Sequence, residues 1–173
     1  GVEYAVKQLK KKKSDIIIGG NIGKNTLTPN NRAIDDYEYC FDALNDYVDY
    51  IAVNVSCPNI KDLQELQDKD ALLSILKKLK EKSSKKAHKT PILLKISPDL
   101  SNAQLDDVIE IVNITKIDGL IATNTTTKRD NLTTSKGKIN AMGNGGLSGK
   151  PLNKRSTEVI KYISAKSNNK IPI

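Results

Sequence analysis

No tryptophan occurs among the 173 residues, and phenylalanine and methionine occur once each. With aromatics at 4% there are few platforms on which bases could stack, so the formal net charge of +8 does not by itself argue for a nucleic-acid surface. The lysine excess sits in two clusters, Lys10–Lys13 and the Lys77–Lys89 region, which read as solvated helix ends or loops. Cys40 and Cys57 are too few cysteines for a disulfide framework and point to a reducing compartment. The single histidine, His88, falls in a lysine-rich loop away from every predicted strand end, which argues against histidine catalysis. No His, Cys or carboxylate cluster has metal-ligand spacing. No apolar run approaches membrane-spanning length, and no signal peptide is visible. What is left is enough chain for one domain with a core, and no linker composition divides residues 1–173.

What is present is an alternation of two periods. Residues 1–13 read as the end of a helix with a basic last turn, and Asp15-Ile-Ile-Ile-Gly-Gly20 as a first strand. Pro29 opens a helix whose stripe is Ile34, Tyr37, Phe41 and Leu44. A buried strand at residues 50–54 is followed by a polar loop and a helix over about residues 69–82, with Leu72, Leu73, Ile75, Leu76 and Leu79 inward. Pro91-Ile-Leu-Leu-Lys-Ile96 is a third strand. Ser101-Asn-Ala-Gln104 is a capping box, and Leu105, Val108, Ile109 and Val112 form the apolar face of the helix it starts. Gly119-Leu-Ile-Ala-Thr123 is a fourth strand, a long loop runs through Gly149, a helix covers about 153–165, and a further strand starts at Ile171. Repeating β/α units of roughly 30–40 residues make a parallel sheet with right-handed crossovers.

Polar residues recur where the strands end. Asn21, Asn54, Lys95 and Thr123-Asn124 each end or follow a strand. A doubly wound sheet gathers ligand groups at one switch point, whereas a (β/α)8 barrel collects them from consecutive strand ends. Four in succession favour the barrel, and since a full one takes about 250 residues, the chain reads as its central half. Gly19-Gly-Asn-Ile-Gly-Lys-Asn25 fails as a phosphate loop: the glycine spacing is one short, and Asn25 stands where Ser or Thr should be. Asn21 reads as a ligand amide or a turn former. Lys95 closes an apolar strand and needs an anion or a path to water, with Asp99 one available partner. Thr123-Asn-Thr-Thr-Thr127 offers hydroxyls and an amide, and the Gly145-Gly-Leu-Ser-Gly149 backbone could approach a flat ligand or an anion. In Asn54-Val-Ser-Cys-Pro-Asn59, Pro58 stiffens a turn bearing two amides, a hydroxyl and a thiol. Cys57 can lose a proton near neutral pH, which suits general acid–base work.

These segments resemble the FMN-dependent dihydroorotate dehydrogenases, most closely the quinone-linked class 2 branch. The likeness rests on Gly20-Asn-Ile-Gly-Lys-Asn25, Asn54-Val-Ser-Cys-Pro-Asn59, Lys95-Ile-Ser-Pro-Asp-Leu100, Ile117-Asp-Gly-Leu-Ile-Ala-Thr-Asn-Thr-Thr126 and Gly145-Gly-Leu-Ser-Gly-Lys-Pro-Leu152, in order. The resemblance implies a TIM-barrel domain that binds FMN and oxidises (S)-dihydroorotate to orotate in pyrimidine biosynthesis. It matches Asn21, Asn54, Lys95, Thr123 and Gly149 to flavin contacts, and Asn54, Asn59, Asn124 and Thr125 to substrate contacts. It places Cys57 on the catalytic base that takes the C5 proton, while the C6 hydride goes to the flavin. Quinone is the implied acceptor; for a class 2 enzyme the implied location is peripheral, on the cytoplasmic side of the cell membrane, and otherwise it is cytoplasmic.

Two departures accompany the likeness. Class 2 enzymes typically carry Ser at the base position and class 1 enzymes Cys, so Cys57 leaves the acceptor less constrained than the oxidation. The family's upstream substrate loop, membrane-associating helices and downstream phosphate site have no counterpart here, so the expectation is a fragment with open sheet edges prone to aggregate. Competing expectations are an inactive half-barrel, a dihydropyrimidine dehydrogenase-type flavin domain (disfavoured by Asn59, where that group tends to carry His) and a basic nucleic-acid module without flavin.

Overall fold

Four short strands carry the fold: β1 (Gly19–Ile22), β2 (Tyr50–Asn54), β3 (Ile92–Ile96) and β4 (Gly119–Ala122). The computed structural model describes residues 1–11, 15–55, 69–87, 89–130, 132–143 and 145–173. The strands pair in parallel and in chain order, β1-β2-β3-β4. Around them lie α1 (Val2–Leu9), α2 (Ala33–Leu44), α3 (Lys69–Ser84), α4 (Asn102–Thr115), α5 (Lys136–Ala141) and α6 (Lys150–Lys166). Helix α2 packs on α3, α3 on α4 and α4 on α6, with α1 against α2. Strands in unbroken order with successive helices side by side are the pattern of a barrel wall. A doubly wound sheet would reverse its order and divide its helices between two faces.

Side chains alternate across this sheet, and the two faces have different compositions. Ile22, Ile51, Val53, Ile92, Leu94, Ile96 and Leu120 point to the helices and join one buried cluster with Tyr37 and Phe41 of α2, Leu76 and Leu79 of α3, Leu105 and Ile111 of α4, and Val159 and Ile163 of α6. The other face carries Gly19, Asn21, Tyr50, Ala52, Asn54, Leu93, Lys95, Gly119 and Ile121, aligned by the register. Gly19 is needed there because Tyr50 lies across it: a Cβ would come within 2.2 Å of the phenol ring.

The capping box at α4 forms as the sequence indicates, with Ser101 Oγ accepting from the Gln104 N–H and Gln104 Oε1 from the Ser101 N–H. On that helix the fourth buried aliphatic is Ile111, and Ile109 is half-buried. Helix α6 begins at Lys150, three residues before the expected start, with Pro151 in its first turn. The long loop after β4 contains α5, which the sequence reading leaves out.

The first strand departs most from expectation. Asp15–Ile18 is not part of the sheet, and Ile16 and Ile17 are 63% and 80% exposed. Pairing starts at Gly19, so Asn21 lies within β1 rather than in the loop after it. Just before, Ile18 exchanges hydrogen bonds with Asp49: its N–H donates to Oδ2 at 2.7 Å, and its carbonyl accepts from the Asp49 N–H at 2.8 Å. β-branched propensity marks the isoleucine run as extended, but the hydrophobic row is completed by Gly20 and Ile22. At the far edge the residues from Ile171 are not assigned as a strand, yet the Leu120 N–H donates to the Pro172 carbonyl at 2.9 Å. Gly119 permits this approach, since a Cβ would fall 2.8 Å from that same oxygen.

Candidate active site

The carboxyl ends of the strands bring most of the expected residues to one end of the sheet. Asn54 and Lys95 are direct register partners on neighbouring strands, and both are half-buried on the face opposite the core. Asn21 is exposed one row lower, opposite Ala52 on that face. Thr123 follows β4 directly, after a cis Ala122–Thr123 peptide bond. Its Oγ1 is buried and has no hydrogen-bond partner among the described residues. A buried hydroxyl without a partner is costly, and a ligand that hydrogen-bonds it removes that cost. An amide, an ammonium and this hydroxyl at adjacent strand ends suit a flat polar ligand that carries or acquires negative charge.

The strand end of β2 is held from beneath. Tyr37, fully buried in α2, donates its hydroxyl to the Asn54 carbonyl at 3.0 Å. Its place in an apolar stripe hides this role in the sequence, although a buried phenol needs a partner. Lys24, the lysine of the failed phosphate-loop pattern, is also buried. Its Nζ donates to the carbonyls of Asn25 at 3.1 Å and Thr28 at 2.5 Å, so it closes its own loop.

The loop after β4 is fixed at several points. The Asn124 N–H donates to the Ile96 carbonyl at 2.8 Å, continuing the sheet contact past the strand, and Asn124 and Thr125 are both half-buried. Thr126 and Leu147 exchange backbone hydrogen bonds of 3.0 and 2.8 Å in an antiparallel bridge, which ties the Gly145–Gly149 segment to the threonine run. Gly149 sits exposed at the N-terminus of α6 with φ of 80°, a backbone conformation that favours glycine. Arg129 adds a clamp across the loop, donating to the carbonyls of Thr126, Lys128 and Gly145.

Asp99, weighed from the sequence as a partner for Lys95, bonds elsewhere: its carboxylate accepts from Thr126 and Thr127. Arg155 of α6 holds the same loop by donating to the Pro98 and Leu100 carbonyls. Neither role leaves a local sequence signal, because the partners lie 27 to 57 residues apart. Ser56, Cys57, Pro58 and Asn59 lie outside the described residues, and so does His88. Of the two cysteines the structure therefore describes Cys40, half-buried on α2; burial, and then Asp36 and Glu3, push its thiol pKa up. No group of three or more His, Cys, Asp or Glu able to hold a metal occurs among the described residues, and no described helix is long and apolar enough to cross a membrane.

Comparison with known proteins agrees with this architecture. The family model described as Dihydroorotate dehydrogenase matches residues 1–173. A protein named dihydroorotate dehydrogenase (quinone) from Christiangramia forsetii is 56% identical over 173 residues, covering 100% of this chain and 49% of the relative. One of the same name from Shewanella sp. strain ANA-3 is 46% identical over 177 residues, covering 100% of this chain and 51% of its own. The crystal structure of a ligand-free DHODH from Eimeria tenella superposes with a TM-score of 0.88 at 30% identity, covering 100% of this chain and 53% of that one. The chain thus spans about half the length of the relatives it matches, and its four parallel β/α units correspond to part of their TIM barrel. On the matched family, the identity to its members and the shared barrel wall, the chain belongs to the dihydroorotate dehydrogenase family.

Proposed function

We propose that this chain supplies the central part of a flavin site in an enzyme that oxidises (S)-dihydroorotate to orotate, with a quinone as acceptor. The observation that carries the reading is the pairing of Asn54 with Lys95 in one register row, with the buried Thr123 hydroxyl, which has no partner among the described residues, beside the next strand end. The names of the relatives support the substrate and the acceptor.

Asn21, Asn54, Lys95, Thr123 and Gly149 are the residues that would hold FMN. Bound FMN would supply the acceptor for the hydride that leaves C6 of the substrate. Lys95 places a fixed positive charge where negative charge builds during the reaction, and a preorganised charge in a partly dehydrated site lowers that barrier. Asn54, Asn59, Asn124 and Thr125 orient the pyrimidine by its carboxylate and carbonyl edges. Cys57, as thiolate, takes the proton from C5, and the electrons of that C–H bond become the second bond between C5 and C6. A free thiol titrates near about 8.5, so a usable fraction is ionised without the strong activation that a serine base requires. Access to quinone implies contact with a membrane, and that contact belongs to the same proposal.

Cys57→Ala tests the assignment. In the whole gene product, the variant should retain its flavin absorbance while its bleaching by dihydroorotate falls by orders of magnitude. Bleaching at the parental rate would remove Cys57 from the mechanism, and a colourless parental protein would remove the flavin.

A further inference from the structure

Asp99 stands four residues past Lys95, where the β3 loop meets the β4 loop, and both of its carboxylate oxygens are committed across that gap. Oδ1 accepts from Thr126 Oγ1 at 2.5 Å, and Oδ2 accepts from the Thr127 N–H at 3.0 Å and Thr127 Oγ1 at 3.2 Å. The carboxylate is itself held in place. The Asp99 N–H donates to Ser97 Oγ at 3.1 Å, and Arg155 donates Nε to the Pro98 carbonyl at 2.9 Å and Nη2 to the Leu100 carbonyl at 2.7 Å. The two carbonyls that flank Asp99 are thereby pinned to α6. On the receiving side, Thr126 is buried and bridged to Leu147, so it is fixed from two directions. Asn124 and Thr125 span the interval between the Asn124 N–H bond to Ile96 and this anchor.

We propose that Asp99 is a positioning residue for the substrate-binding pair Asn124 and Thr125, acting through Thr126 and Thr127 from a platform that Arg155 fixes. The inference rests on the substrate roles proposed above for Asn124 and Thr125. An ionised carboxylate accepts all three hydrogen bonds at once, and charged acceptors make the stronger ones. An asparagine in its place can keep its oxygen on Thr127, but its NH2 then faces the Thr126 hydroxyl, which must turn its proton elsewhere and accept instead, so a bond to a charged acceptor is exchanged for a weaker neutral one. A displaced pair of substrate contacts weakens binding, and misplacement on the ångström scale costs rate steeply.

The test compares Asp99→Asn, Thr126→Val and Thr126→Ser with the parent in the whole gene product. Asp99→Asn and Thr126→Val should each raise KM for dihydroorotate and Kd for orotate by about tenfold or more, with a smaller fall in kcat and with FMN content unchanged. Thr126→Ser keeps the hydroxyl and should stay within about twofold of the parent. The double variant Asp99→Asn with Thr126→Val should be less impaired than the product of the two single effects, because both changes remove the Asp99–Thr126 contact, while Asp99 also holds Thr127 and Thr126 Oγ1 also accepts from the Lys128 N–H. Hydrogen exchange supplies a readout independent of substrate: Asp99→Asn should speed exchange at the amides of 124–128 while leaving those of β2 unchanged. KM and orotate Kd unchanged in both disruptive variants, or exchange unchanged at 124–128, would overturn the proposal. A parent that binds neither flavin nor orotate defeats the reading of function, and the exchange experiment then still decides whether Asp99 holds the loop.

Discussion

The two faces of the sheet put opposite demands on residues that sit side by side. In β3, Leu94 and Ile96 are inaccessible among the helices, while Lys95 between them points the other way into a half-buried position beside Asn54. One face is chosen for volume and the other for hydrogen bonds and charge. The lesson is that a sheet buried on its helix side can support a polar row without weakening its core, because alternation keeps the two sets of contacts apart.

The largest contrast comes from substituting neighbours. Leu94→Ala removes a fully buried side chain and should cost about 2–5 kcal/mol of stability, read by denaturant unfolding. Lys95→Met should change stability by less than about 1 kcal/mol, yet slow flavin reduction by about 10²–10³-fold, the scale of losing one preorganised electrostatic group. If Lys95→Met unfolded the protein as Leu94→Ala does, the separation of the two faces would not hold. Tyr37→Phe joins the faces and should have an intermediate effect. It removes the hydroxyl beneath Asn54 at a cost of about 1 kcal/mol, and it should weaken flavin binding by more than a packing change of that size predicts. The smallest effect is on labelling at Cys40. Burial, with Asp36 and Glu3 adding negative charge, keeps its thiol protonated at pH values where a free thiol begins to ionise. Alkylation of Cys40, followed by mass spectrometry, should therefore lag behind a free thiol near pH 8 and catch up only as pH rises further. Equal rates at pH 8 would contradict the buried placement.

Legibility in the sequence followed the same division. The helix-facing pattern was plain: the stripes of α2 and α3, the capping box of α4 and the spans of β2, β3 and β4 all lie close to where periodicity and capping put them. So was the run of polar strand ends, because Asn54, Lys95 and Thr123 interrupt apolar segments abruptly. The start of β1 was not legible, since Ile16 and Ile17 have strand propensity but no partner strand among the described residues. Helix α5 is six residues long, too short to establish a hydrophobic period. The contacts of Tyr37, Asp99 and Arg155 were hidden for another reason. They are long-range bonds, those of Tyr37 and Arg155 to backbone carbonyls, and a carbonyl is present at every residue whatever its identity.

The unbroken strand order also bears on how the molecule comes into being. Among the described strands, β2, β3 and β4 each pair with the one translated just before, so none of the three has to wait for a later piece of polypeptide to leave the ribosome. A nascent chain can therefore add one β/α unit at a time onto the edge already laid down, each addition closing one crossover, a cost that grows only slowly with its length. At the edge of β4 the Leu120 N–H donates to the Pro172 carbonyl, so the segment after α6 meets the sheet beside the strand that precedes it in the chain.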